Sequence, residues 1–199
     1  MRNPDGHPWL ASMMDVVMAP LARVRPRVVG QAHGCVLELG AGTGLNFAHY
    51  PPGLDVYAIE PDPHMRQRCA VRARAHNVRV VDAGAEALPF DDATFDCVVA
   101  TFVFCTIPDV DAAAREARRV LRPGGVLLFA EHVRSTVGWV AASQAAVDPL
   151  WTRLAGGCHL DRSPLAVFSA AGFVDLQVRW HGPQASPLPV VSGTARVGA

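Results

Sequence analysis

The sequence predicts an α/β fold, a doubly wound sheet of parallel strands joined by right-handed helical crossovers. Short apolar runs alternate with longer helical stretches along the whole chain, the pattern of repeated strand–helix–strand units. One of those runs, Val36-Leu37-Glu38-Leu39, passes directly into the glycine-rich turn Gly40-Ala41-Gly42-Thr43-Gly44, and an acidic residue, Glu60, closes the next run, Val56-Tyr57-Ala58-Ile59. A strand, a glycine turn and an acid about 20 residues further on are the parts with which such sheets hold a nucleoside.

The elements follow in chain order. An apolar, Met-rich stretch predicts a first helix over residues 9–29, before a strand at 35–39 and a helix at 43–49 opened by the glycine turn. A strand at 55–60 precedes a helix at 63–76, which Asp62 is placed to cap ahead of Pro63. Strands at 78–82 and 95–101 lead to a helix at 109–120, with Asp109 at its start, Arg118 and Arg119 in its last turn and Pro123-Gly124 beyond. A strand at 125–132 is followed by helices at 137–155 and 163–171. The second of these stops at Ala171-Gly172 and enters a strand at 173–180, and the Pro-rich segment 183–189 joins it to a last strand at 189–197.

The 199 residues, half of them hydrophobic, suffice for one well-buried core, and one domain spanning 1–199 is expected. Lys and Arg number 18, all of them Arg, against 18 Asp and Glu. The resulting net charge of +0, with no long basic run, lacks the footprint of a nucleic-acid binder, so the expected partner is a small molecule. Five scattered cysteines with no Cys-x-x-Cys pair argue against a disulfide framework and fit a reducing, cytoplasmic setting. Trp9 to Leu21 is interrupted by Asp15 and Pro20 and is too short to span a bilayer.

The glycine turn points to a nucleoside-containing cofactor. Gly40, Gly42 and Gly44 lack the Cβ atoms that would hold a ligand off the backbone, and the turn aims free N–H groups outwards. The spacing Gly-x-Gly-x-Gly puts Leu45 where a dinucleotide fingerprint wants its third glycine. His132, ending the strand in Ala130-Glu131-His132-Val133, is a functional candidate whose alternative is a structural histidine. The loop Gly156-Gly157-Cys158-His159-Leu160-Asp161-Arg162 gathers Cys, His, Asp and Arg, but Cys158 and His159 are adjacent with no second spaced pair. It is expected to line a substrate pocket, and no metal is expected.

Further motifs stand in a fixed order around the glycine turn. Leu88-Pro89-Phe90 comes first, then Phe95-Asp96 leading into Val98-Val99-Ala100, then Leu121-Arg122-Pro123-Gly124-Gly125 ahead of Val126 to Ala130. With the glycine turn and Glu60 they resemble class I S-adenosylmethionine (SAM)-dependent methyltransferases. The resemblance implies a Rossmann-like, mostly parallel seven-stranded sheet with helices on both faces, SAM as cofactor and S-adenosylhomocysteine as product. By the same resemblance Gly40, Ala41, Gly42, Thr43, Gly44 and Asn46 form the cofactor loop, and Glu60 takes the ribose hydroxyls. Glu38 supports the loop or the amino-acid end of SAM, its alternative being an acceptor for loop N–H groups. Thr101 and Phe102 face the methionine part. Many relatives carry Asp before the Ala-Glu of the adenine loop, whereas this chain has Gly84 before Ala85-Glu86, so backbone at Gly84 and Ala85, with the ring against Pro61 or Met65, has to serve. Glu86 is a contact or a solvated loop acid.

A narrower resemblance rests on Asn46-Phe47, Tyr50-Pro51-Pro52-Gly53, Pro61-Asp62-Pro63-His64, Val103-Phe104-Cys105, Glu131-His132-Val133, Asp148-Pro149 with Trp151, and Gly157-Cys158 with Leu160 and Arg162. These look like the methyltransferase-like thiol methyltransferases of animals, and equally like small bacterial relatives of ubiquinone or phospholipid methyltransferase type. The likeness covers roughly residues 35–199. It implies direct displacement by a substrate thiolate, with His132 or His159 taking the thiol proton. Trp9, Met13, Met14, Cys105, Trp151 and Cys158 are assigned to the acceptor pocket, with residues 1–30 as a lid helix over it, although Cys105 reads more readily as a small buried apolar side chain than as a nucleophile. Methylation of an amine, phenol or quinone, or SAM binding without turnover, are the alternatives, because fold and cofactor site do not choose the acceptor.

Overall fold

The computed structural model describes residues 8–21 and 23–198. Seven strands form one sheet: β1 (Cys35–Leu39), β2 (Asp55–Ile59), β3 (Val78–Val81), β4 (Phe95–Thr101), β5 (Leu121–His132), β6 (Val174–His181) and β7 (Val190–Arg196), in the order β3-β2-β1-β4-β5-β7-β6. The first five run parallel, and β7 inserts antiparallel between β5 and β6. The mostly parallel seven-stranded sheet is the architecture the sequence implied.

β1 and β4 are buried almost throughout because both faces of the sheet are covered. Successive side chains therefore enter opposite cores. Leu37, Leu39, Val98, Ala100 and Phe129 join one cluster with Ala113 and Ala117 of α4 (Val110–Val120) and Phe168 of α6 (Pro164–Ala170). Val36, Cys97, Val99 and Leu128 join the other, against Val28 and Val29 of α2 (Arg25–Val29). Asp62 caps α3 (Pro63–His76) as expected, accepting from the N–H groups of His64 and Met65. The helix ends on Asn77 in the left-handed region, at φ 54°.

Three expectations need correction. The helix foreseen over 9–29 is broken into α1 (Pro8–Val17), a 3₁₀ turn at Ala19–Leu21 and α2, since Pro20 and Pro26 cannot continue a helix but suit its first turn. α2 is part of the core, with Val28 and Val29 buried, so a cover could comprise only the segment before Val24. The helix expected at 43–49 is absent; turns lead to a 3₁₀ turn at Phe47–His49. Gly44 at φ +83° is outside helical space, and Tyr50, preceding Pro51, is held extended, so the glycine loop opens onto no helix dipole. Finally, β5 begins at Leu121, not 125, because Leu121 pairs with Phe95 before a register shift at the bend through Pro123-Gly124. The helix foreseen at 137–155 holds as α5 (Gly138–Leu154) despite Pro149 within it.

At Gly193, opposite Phe129 in β5, a Cβ would stand 1.8 Å from the Gln177 carbonyl oxygen and 2.9 Å from the Phe129 ring. Backbone cannot yield as a side chain can. Gly193→Ala should therefore lower the stability of the fold by about 2 kcal/mol or more, read as a fall in the urea midpoint at unchanged slope. An unshifted midpoint would show that β6 is free to move away.

Candidate functional site

Ligands of such sheets bind beyond the carboxyl ends of the strands, and the glycine turn, Glu60, Thr101, Phe102 and His132 lie at or just after those ends. The three glycines play different parts. A Cβ on Gly40 would stand 2.2 Å from Val103 and one on Gly44 2.7 Å from the Phe47 ring, so these two make room for the protein's own side chains. Only Gly42, at φ +57°, has nothing within 4 Å of that position, so of the three it alone fits the expected close approach of a ligand.

Glu60 fixes this loop. Its Oε2 accepts from the Gly42 N–H at 2.7 Å and its Oε1 from the Asp62 N–H at 2.8 Å, leaving each oxygen a further lone pair. Burial pushes its carboxyl up to about 7 against those two hydrogen bonds. The Thr43 hydroxyl donates to Asp15 of α1, which also pairs with Arg72 of α3, and Arg72 donates to the Thr43 carbonyl at 2.7 Å.

Behind the loop lies a buried polar network. Glu38 accepts from the Asn46 side-chain amide at 3.0 Å and the Tyr50 hydroxyl at 2.7 Å, so it supports the loop through side chains and not through loop N–H groups. The Asn46 amide also donates to Thr101 Oγ1 at 2.9 Å, and Arg25 Nη1 donates to Asn46 Oδ1 at 2.8 Å and Thr101 Oγ1 at 2.9 Å. The guanidinium lies 5.3 Å from the centre of the Phe102 ring, and its Nε is buried with no partner. Phe102 itself adopts a left-handed φ of 56°. Sequence reasoning missed Arg25 and Tyr50. Arg25 stood in a stretch read as one amphipathic helix, and nothing local distinguishes it from the exposed arginines.

The other residues assigned to the nucleoside by resemblance follow β2 and β3. Met65 is buried on α3, Pro61 is half-buried, and Gly84 and Glu86 line a depression of ≈ 290 Å³ with Asp82, Ala83, Ala87 and Pro89; Ala85 is buried in the core beneath it.

The acceptor candidates divide. Trp9 and Met13 are more than half exposed, and the Met14 side chain lies outside the described residues. Cys105, His132 and Cys158 come together, each offering one ligand atom within 4.8 Å of the others. The Cys158 sulfur lies 3.6 Å from His132 Nε2, which is 2.7 Å from the His159 carbonyl oxygen. A hydrogen bond from Cys105 and the neighbouring His132 hold the Cys158 thiol below its ordinary range, against burial; sharing that proton with Cys158, together with burial, pushes Cys105 well up. Burial opposes charge on His132, but Cys158 and the His159 carbonyl outweigh it and raise its imidazole. The Trp151 indole N–H, which makes no hydrogen bond of normal geometry, adds to the field on Cys158. The His159 ring is turned the other way: Nδ1 pairs with Asp148 at 2.9 Å, and these two with Asp161 form a second group that could hold a cation. Asp148 also accepts from the Leu160 N–H at 2.5 Å, which folds the Gly-Cys loop back over α5.

Residues 37–129 match the model of the Methyltransferase domain family. A human thiol S-methyltransferase, TMT1B, is 37% identical over 162 residues, 78% of this chain and 66% of its own, and a second human one, TMT1A, is 36% identical over 151 residues. The chain belongs to the class I methyltransferase family. A ubiquinone/menaquinone biosynthesis C-methyltransferase of Pseudomonas putida is 34% identical over 157 residues. The chain spans 61 to 66% of the length of these relatives. Solved structures share the fold at lower identity: YcgJ of Bacillus subtilis superposes at TM-score 0.72 with 19% identity, covering 91% of this chain and 99% of its own, and the [4+2]-cyclase SpnF at 0.71 with 21%, covering 90% and 80%. Among the described residues no helix is long and apolar enough to cross a membrane.

Burial pushes the Glu38 carboxyl up to about 7, opposed by Tyr50, Arg25 and Asn46. A folded value above the unfolded 4.5 means that its stabilising contribution is complete below about 4.5 and is lost as pH rises through about 7. Glu38→Gln should remove up to about 3 kcal/mol of the fall in stability between about pH 5 and pH 8, measured by urea unfolding at both ends. Parallel losses in variant and parent would mean that Glu38 stays ionised throughout.

Proposed function

We propose that this class I methyltransferase binds SAM against the Gly42–Glu60 clamp and methylates a small thiol. The clamp carries the reading: a backbone N–H held by a strand-terminal carboxylate that keeps spare lone pairs, beside a glycine position open to the cleft. The free lone pairs of Glu60 suit two ribose hydroxyls. Pro61 and Met65, with the depression at Gly84 and Glu86, offer an apolar wall and backbone groups for adenine. Asn46, Thr101 and the unpartnered Nε of Arg25 suit the amino and carboxylate groups of the methionine end. When bound, SAM supplies an electrophilic methyl group that an acceptor sulfur displaces directly, S-adenosylhomocysteine leaving. The protein's work is then to position the acceptor and exclude water.

The thiol assignment is supported by the two human relatives named as thiol S-methyltransferases and by the sulfur- and imidazole-rich wall of Cys105, His132 and Cys158 at the ends of β4 and β5. Of the two histidines expected to take a proton, His132 Nε2 faces the His159 carbonyl and His159 Nδ1 faces Asp148, which leaves His132 Nδ1 and His159 Nε2 as the nitrogens for that role.

Replacing Glu60 by Ala removes the acceptor for two ribose hydroxyls, each charge-assisted bond worth about 1.5 to 3 kcal/mol, and should weaken SAM binding at least about tenfold by calorimetric titration. Unchanged affinity would remove Glu60 from the site, and Glu60→Gln separates lost charge from a collapsed loop. Side-by-side turnover of matched thiol, phenol and amine acceptors with SAM tests the substrate class: thiols should be methylated fastest. A clear preference for the phenol or amine would replace the thiol assignment and leave methyl transfer standing.

A further inference from the structure

Three soft ligands converge where the acceptor has to approach. Cys105 follows β4, His132 ends β5 and Cys158 lies in the loop after α5, and one ligand atom from each falls within 4.8 Å of the others. Bonds of about 2.3 Å to sulfur and about 2.0 Å to nitrogen at the tetrahedral angle hold S and N about 3.5 Å apart around a zinc ion. The Cys158 sulfur is 3.9 Å from His132 Nδ1, a few tenths of an ångström beyond that spacing, and 3.6 Å from Nε2.

The imidazole is also oriented for such a role. A carbonyl oxygen only accepts, so the 2.7 Å contact with His159 O makes His132 Nε2 the protonated nitrogen and leaves the lone pair on Nδ1. A ring N–H tied to a backbone carbonyl is the outer-shell partner that fixes the tautomer of metal-binding histidines. Glu131, one residue before, has Oε1 bound to the N–H groups of Val103 and Phe104 while Oε2 is buried with no partner. A carboxyl oxygen buried without a partner, one residue from His132, is better compensated with a cation nearby than without one.

We propose that Cys105, His132 Nδ1 and Cys158 bind one zinc(II) ion whose fourth position is open to the acceptor thiol. Three protein ligands with a free position is the arrangement of catalytic zinc, and two thiolates neutralise the ion's charge inside the protein. Its role, though not its existence, rests on the thiol reading above. An acceptor thiol entering the fourth position gives its proton to solvent and stays as a metal-bound thiolate at neutral pH. Its sulfur lone pair then forms the new bond to the methyl carbon while the electrons of the breaking C–S bond return to the donor sulfur. The neutral thioether product is a weak ligand and leaves.

The test uses the full chain, stripped with chelator and titrated with zinc chloride and, separately, with cobalt(II) as an optical probe. One equivalent of zinc should bind with submicromolar affinity, and cobalt should show thiolate charge-transfer absorption with the intense visible bands of a tetrahedral site. Cys105→Ser, His132→Ala and Cys158→Ser should each weaken zinc at least about tenfold, in line with the loss of a directly bonded ligand. Because a variant could unfold, the parent protein supplies a second measurement: zinc should protect Cys105 and Cys158 from alkylation and leave the half-buried Cys35 unprotected. Adding an acceptor thiol should shift the cobalt spectrum, and a matched phenol should not. Zinc weaker than about 10 μM, or uptake unchanged by the three substitutions, overturns the site, as does a Cys105–Cys158 disulfide that forms in air while no metal is taken up. Full thiol turnover by metal-free protein would overturn the ion's role and leave the thiol assignment intact. Tight zinc with turnover of phenols alone would overturn the thiol assignment, and the ion's role with it, and leave the zinc site standing.

Discussion

Glu38 sits at the centre of the sheet, buried and flanked by apolar strands, and a carboxyl group in that position has to find donors or be expelled. The chain satisfies it with Asn46 and Tyr50, and Asn46 in turn is held by Arg25 and shares Thr101 with it. Five residues from the segment before β1, from β1 itself, from the glycine loop and its 3₁₀ turn, and from the end of β4 are thereby locked in one network. A network of this kind is worth keeping only when its members are paired, and Arg25 Nε is buried with no partner among the described residues. The position of the loop, and with it the Gly42–Glu60 clamp, follows from that network and not from a helix dipole, since no helix begins at the loop.

The two halves of the cleft have different chemistry because different strands deliver them. β1 and β2 lead into the glycine loop and Glu60, which brackets that loop with hydrogen bonds, whereas Cys105 follows β4, His132 ends β5, and the loop after α5 brings Cys158 to them. That loop is anchored on its C-terminal side: Asp148 holds the Leu160 N–H, and Arg162 donates to the carbonyls of Phe104 and Ile107, at 2.8 and 2.5 Å. Sharing a fold with SpnF, whose name is that of a cyclase, shows how little the sheet alone says about the reaction. What distinguishes this chain is the set of side chains at the acceptor end.

The sequence by itself determined the sheet, the glycine loop, Glu60 as its acid and Asp62 as a cap, because each is written in a local pattern: apolar runs, glycine spacing, an acid at a fixed offset, a capping residue before proline. It misjudged 9–29 and 43–49 because apolar periodicity outweighed Pro20, Pro26 and Gly44, whose backbone limits decided the outcome. Only the tertiary structure could bring Arg25 into the cleft, since its partners Asn46 and Thr101 lie 21 and 76 residues away. The same holds for Cys158. Adjacent to His159 it lacks the spacing of a ligand pair, yet its neighbours in space are His132, 26 residues away, and Cys105 on another strand end. Contacts between strand ends depend on the order in which the strands assemble, β4 beside β5 with the loop after α5 folded over both, and that order is set by packing across the whole sheet and not by any window of sequence.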